Sequence, residues 1–145
     1  MKKRSLYLVG LSLISSFTLA DTALPEAVLY KDKYCGCCTE YVNYLKKEGV
    51  SVKAIDHPDM RTIKYQYGTY QGASCHTMIM GDYVIEGHVP IASIQKLFKE
   101  TPNIKGIALP GMPASSPGMG PAVEGSLSIM TIEHSSEIKE RFNQE

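Results

Sequence analysis

Cys35-Gly36-Cys37-Cys38 packs three of the chain's four cysteines into four residues, at the border between an apolar run and a helical pattern. Upstream, Val28-Leu29-Tyr30 is a short apolar run that ends in Lys31-Asp32-Lys33 and reads as a buried strand. Downstream, Cys38, Val42 and Leu45 fall at i, i+4 and i+7 with Tyr41 beside them, the spacing of one helix face. Lys46 and Lys47 suit the last turn of that helix and Gly49 its cap. A strand that feeds cysteines into a helix start leaves them among unsatisfied N–H groups at the positive end of the helix dipole, which favours thiolate over thiol. Thiolate is both the nucleophilic and the metal-binding form of cysteine.

The rest of the pattern extends this opening. Val50 to Ile55 alternates as a strand, and Pro58 suits the first turn of a second helix that runs to about Tyr67 and stops at Gly68. Thr77–Met80 and Tyr83–Glu86 read as a hairpin about the turn Gly81-Asp82. Gly87-His88-Val89-Pro90 then leads into a helix from Ile91 to about Lys99, with Ile94, Leu97 and Phe98 on its buried face. A strand, Cys-x-x-Cys at a helix start and the order β-α-β-α-β-β-α predict an α/β, thioredoxin-like fold with a central mixed sheet flanked by helices. Residues 103–125, rich in Gly, Pro and Ser and carrying Met112 and Met119, read as a long loop. Ser126 to Ile132 reads as an extra C-terminal strand followed by a charged tail. This topology predicts that Cys75 and His76, just ahead of the Thr77–Met80 strand, sit beside the cysteine motif, and that the hairpin partner returns His88 to the same end. His76 stands where thioredoxin-like folds hold a cis-proline, with Cys75 before it.

The first residues point to export. Lys2, Lys3 and Arg4 precede the mostly apolar stretch Leu6 to Leu19, and Thr18 and Ala20 are small residues at −3 and −1 of a cleavage site after Ala20. The stretch is too short and too rich in Ser and Thr for a membrane span, which takes roughly 20 apolar residues. Residues 1–20 therefore read as a signal peptide and 21–145 as a single, exported thioredoxin-like metal-binding domain. Without residues 1–20, 12 of the 15 Lys and Arg remain against 15 Asp and Glu, a net charge of −3 with no basic stripe, so nucleic acid is not an expected partner. No later segment is apolar enough to span a membrane. An oxidising compartment turns thiols into disulfides unless they are reduced or metallated.

Disulfide exchange needs two sulfurs, whereas Cys35, Cys37, Cys38 and Cys75 offer four and crowd negative charge that a soft cation would neutralise. The candidate metal ligands are these cysteines with His76 and His88 and, through thioethers suited to Cu(I), Met112 and Met119. Cys35 and Cys38 form the candidate redox-catalytic pair, with the spacing of a low-strain disulfide. The alternatives are a thiol–disulfide oxidoreductase of the cell envelope, a Cys₃His zinc site and a domain stapled by two disulfides. Bridges among Cys35, Cys37 and Cys38 close very small loops and stabilise little. His57 and His134 read as surface residues, and Met78 and Met80 as core.

Five segments carry a resemblance: Tyr34-Cys35-Gly36-Cys37-Cys38, Ala73 to Thr77, Gly81 to Pro90, Gly106 to Pro113, and Ser116-Pro117-Gly118-Met119. Together they resemble the CopG copper-resistance family of periplasmic metal-binding proteins, over roughly residues 26–133. The resemblance implies a thioredoxin-like fold and copper bound through the cysteines, in a multinuclear thiolate-bridged site. It also implies a role in handling periplasmic copper. On this reading the chain sequesters Cu(I), with redox cycling between thiol and copper as its oxidoreductase chemistry. Its partners are copper ions and other periplasmic copper-handling or reductant proteins.

Overall fold

The computed structural model describes residues 23–72 and 74–145, so the expected signal peptide, residues 1–20, lies outside the described residues. Strands β1 (Ala27–Lys31), β2 (Val52–Asp56), β3 (His76–Met80), β4 (Tyr83–Glu86), β5 (Gly106–Ala108), β6 (Ser128–Ile132) and β7 (Ile138–Gln144) form one mixed sheet in the order β2-β1-β3-β4-β5-β6-β7. β1 pairs parallel with β2 and antiparallel with β3, and the β3–β4 hairpin turns at Gly81-Asp82 as expected. β5 joins β4 in parallel, and β6 and β7 follow antiparallel.

Helices α1 (Gly36–Lys47) and α3 (Ile91–Glu100) bury Tyr41, Val42, Leu45, Ile94 and Leu97 in the same core as Leu29, Met78, Ile85, Ile107 and Ile129 from the sheet. Met78 and Met80 are fully buried there, as the strand alternation suggested. Helix α2 (Met60–Tyr67) packs on β1 and β3. Its Lys64 reaches Thr77 and Glu86, which alternate with Met78 and Ile85, so α2 covers the opposite face of the sheet.

Several boundaries differ from the sequence reading for local reasons. Asp59 caps α2 by accepting from the backbone N–H of Arg61 and Thr62, so Pro58 lies outside the helix and not in its first turn. Val50 belongs to the turn after α1, where its N–H donates to the carbonyl of Leu45, and β2 begins two residues later than expected. The loop expected over residues 103–125 contains β5, three buried residues too short to show a period. The charged tail is strand β7: its charges occupy a bulged edge strand, while Lys96 of α3 donates to the carbonyl of Phe142 and lies over its ring. The expected single extra strand is therefore a β6–β7 pair.

Candidate metal centre

Three chain segments meet at one end of the sheet. β1 ends at Lys31, and Asp32 turns the chain: its carbonyl accepts from the N–H of Cys35 and its carboxylate from that of Tyr34. Cys35 is then the residue before α1, Cys37 and Cys38 lie in the first turn, and the first helical bond runs from Thr39 N–H to the Cys35 carbonyl. The three cysteines thus stand at the helix end whose first N–H groups have no intrahelical acceptor. The β1–β3 register sets Lys31 opposite His76, which brings Cys75 alongside the motif although it lies 37 residues beyond Cys38. β4 returns to the same end, where Gly87 (φ 82°) turns the chain to deliver His88; a Cβ at Gly87 would stand 2.5 Å from the Leu109 carbonyl oxygen.

The Sγ atoms of Cys35, Cys37, Cys38 and Cys75 all lie within 4.8 Å of one another. Cys35 and Cys38 are joined in a disulfide with Cα atoms 5.4 Å apart, while Cys37 and Cys75 are free, half-buried thiols. Cys37 Sγ lies 3.3 Å from Cys35 Sγ, and Cys75 donates to the Met112 thioether at 3.1 Å. Burial first, and the neighbouring Cys37 second, push the Cys75 thiol up.

A second group shares Cys38: its sulfur and a ring nitrogen each of His76 and His88 lie within 4.8 Å of one another, all three residues buried. His76 Nε2–H donates to the Gly87 carbonyl at 3.0 Å and His88 Nδ1–H to the Pro117 carbonyl at 2.7 Å. A carbonyl only accepts, so each proton sits on the bonded nitrogen. The other nitrogens, His76 Nδ1 and His88 Nε2, are buried without a hydrogen-bond partner. Burial drives His76 down to about 3, with the adjacent His88 adding to the effect, and burial likewise lowers His88. Both rings are therefore neutral at pH 7 and carry an unshared lone pair, the form in which imidazole binds metals, with the second nitrogen held by a carbonyl. Tyr41 stacks on His76 at 4.8 Å and donates to the Val89 carbonyl at 2.7 Å, walling the site.

The fold thus gathers the four cysteines, both named histidines and Met112. Met119 is exposed and its sulfur does not share Met112's contact with a thiol. His57 bonds the backbone of Asp59, and His134 is exposed beside Asn103. Sequence reasoning missed Pro117-Gly118, the piece of loop that orients His88. Gly118 (φ 80°) lets the loop lie on α1, where a Cβ would stand 2.7 Å from the Tyr41 backbone nitrogen. It also missed Glu86, Lys64 and Ser74 beneath the Cys75–His76 segment; the signal available was a lone carboxylate within the otherwise apolar Tyr83–Glu86 run.

Fold and site together define a mixed α/β protein whose clustered thiols and neutral imidazoles can hold soft metal ions. The family model described as "Protein of unknown function, DUF411" matches residues 72–119, the stretch that supplies Cys75, His76, His88 and the loop to Met119. Comparison with curated protein sequences gives no match. Two solved structures of copper resistance protein CopG, Form 1 and Form 2, each match at 31% identity and a TM-score of 0.72, covering 84% of this chain and 98% of theirs. The chain belongs to the CopG copper-resistance family.

Proposed function

We propose that the chain is a periplasmic copper-resistance protein that holds Cu(I) as cargo in a multinuclear site built from Cys35, Cys37, Cys38, Cys75, His76 and His88. The observation that carries this reading is the pair of buried, unpartnered imidazole nitrogens beside the thiols. A buried polar atom without a partner costs about 1–3 kcal/mol. Two in one pocket is a cost that a bound metal repays. Thiolate with imidazole suits Cu(I) by softness, although a Cys₃His set also suits Zn(II). Bridging thiolates let six donors serve more than one ion. Met112 is the outermost donor, on the exposed side of Cys75.

Export rests on the signal pattern of residues 1–20, with 21–145 as the mature domain. Among the described residues no helix is long and apolar enough to cross a membrane. The order β-α-β-α-β-β-α with strands β2-β1-β3-β4 supports a thioredoxin-like unit extended by β5, β6 and β7. The Cys35–Cys38 pair would exchange electrons with the copper: two thiolates yield one disulfide and two electrons, enough for two Cu(II) to become two Cu(I). Its partners would be copper ions, a periplasmic reductant and other copper-handling proteins.

The test is metal analysis of the reduced, anaerobically desalted protein after exposure to Cu(I) and Zn(II) together. More than one copper per chain is expected. One copper or fewer, or preferential retention of zinc, refutes the multinuclear copper site.

The disulfide at the helix start favours a second reading, a thiol–disulfide oxidoreductase of the cell envelope with half-buried Cys35 as nucleophile and buried Cys38 as its resolving partner. Insulin reduction at the rate of a dedicated oxidoreductase would put this reading first.

A further inference from the structure

Glu86 has no exposed surface, yet it carries a carboxylate in the strand that leads to His88. It accepts from Lys64 of α2, from the Ser74 hydroxyl, and from the Thr77 hydroxyl at 2.7 Å. Lys64 also donates to the His76 carbonyl at 3.4 Å. Gly72 closes over the carboxylate, and a Cβ there would collide with Glu86 Cγ.

A buried ion pair is a poor device for stability, since well-packed apolar residues of similar size commonly do as well or better. The bonds of this one are distributed in a way that suggests another use. Ser74, the His76 carbonyl and Thr77 bracket Cys75 and His76, two of the donors that come from outside the helix motif. Cys75 itself is half-buried; its thiol lies among the thiols at the start of α1 and donates to Met112 of the loop after β5. The β1–β3 register brings this segment to the motif, and the hydrogen bonds that hold the backbone and hydroxyls around Cys75 run to the carboxylate and Lys64 behind it.

We propose that Glu86, acting through Ser74 and Lys64, is the positioning residue that sets the Cys75–His76 segment against the helix-borne thiols. The carboxylate touches no metal donor. It holds the segment that presents them, so its loss separates the two halves of the cluster while the motif on α1 stays intact. For copper this rests on the reading of the cluster as a copper site; the geometry itself is testable without metal.

The experiment uses the reduced, metal-free full chain with Cys35→Ser and Cys38→Ser, which leaves Cys37 and Cys75 as its only thiols. Diamide takes two electrons and two protons from that pair, forming the Cys37–Cys75 bond, and non-reducing mass spectrometry follows its rate. Ser74→Ala should slow the bond about tenfold, the equivalent of one hydrogen bond to a charged group, and Glu86→Leu should slow it further. The double variant Lys64→Met, Glu86→Leu removes both charges; it should regain thermal stability without regaining the rate. Variants that fold and cross-link at the parent's rate overturn the proposal. So does a double variant in which rate and stability recover together, and so does a parent that fails to cross-link. In the four-cysteine chain, the Ser74→Ala and Glu86→Leu variants should lose Cu(I) to bicinchoninate about tenfold more readily, by the same hydrogen-bond equivalence. A wild-type chain that retains no Cu(I) would refute the copper reading and leave the cross-linking rates to decide the role of Glu86.

Discussion

Lowering the pH from 7.5 to 5 should destabilise the metal-free protein through His76. The unfolded histidine takes its proton near the ordinary value of 6.5, whereas burial beneath Tyr41 and beside His88 delays protonation in the folded chain to about 3. Between those values the unfolded state binds the extra proton, so the stabilisation is complete above about pH 6.5 and is lost progressively as pH falls toward 3. Each pH unit in that window is worth about 1.4 kcal/mol. The full interval corresponds to about 5 kcal/mol, and the part reached at pH 5 to about 2 kcal/mol. His88, also lowered by burial, adds to the loss with the same sign. Urea unfolding of the reduced, metal-free chain at the two pH values measures the sum, and His76→Phe isolates the His76 part. The phenyl ring keeps the stack on Tyr41 and gives up the bond to the Gly87 carbonyl, so the variant is weaker at both pH values but flatter between them. The wild type should lose about 2 kcal/mol more than the variant on acidification. Equal losses, or a His76 ring that titrates near 6.5 by NMR, refute the picture of a buried neutral ring. The same shift has a functional side: at pH 5 the His76 lone pair is still free, so a metal there meets no proton competition from this ligand.

Cys75→Ser should fold normally and lower Cu(I) affinity at least tenfold, because its thiol is the one cysteine that β3 brings to the motif; unchanged affinity by chelator competition would exclude Cys75 from the site. Cu(I) should raise the apparent reduction potential of the Cys35–Cys38 pair, by about 30 mV for each tenfold preference for the dithiol; a glutathione titration that gives one potential with and without Cu(I) would separate the disulfide from the metal site. Gly118→Ala should cost about 2 kcal/mol or more in urea unfolding, since φ is 80° and the new Cβ meets the Tyr41 backbone. It should also weaken Cu(I) binding by releasing the Pro117 carbonyl from His88; normal stability and binding would remove the loop from the site.

Much of the fold was legible because its information is local. The i, i+4, i+7 spacing of Cys38, Val42 and Leu45 marks α1, and the Gly81-Asp82 turn between two short apolar runs marks the β3–β4 hairpin. β5 escaped notice because three residues carry no period. β7 escaped because Ile138–Gln144 is an edge strand whose charges face solvent, a pattern shared with a disordered tail. The donor residues could be named for a similar reason: cysteine, histidine and methionine announce their chemistry by type. Their supports could not, since Ser74, Lys64 and Glu86 are common residues that matter only through the contacts they make.

From the sequence came the element order as far as α3, the helix start that favours thiolate, and the list of residues able to bind a soft metal. Each depends on neighbours a few positions apart or on side-chain chemistry alone. The tertiary structure decided which donors converge: Met112 reaches Cys75, whereas Met119 does not share that contact. It also decided which nitrogen of each histidine is free, because the carbonyls of Gly87 and Pro117 take the other. Those outcomes turn on strand register and loop docking, which couple residues 11 and 29 positions apart. No local pattern encodes where a carbonyl from a distant loop will point.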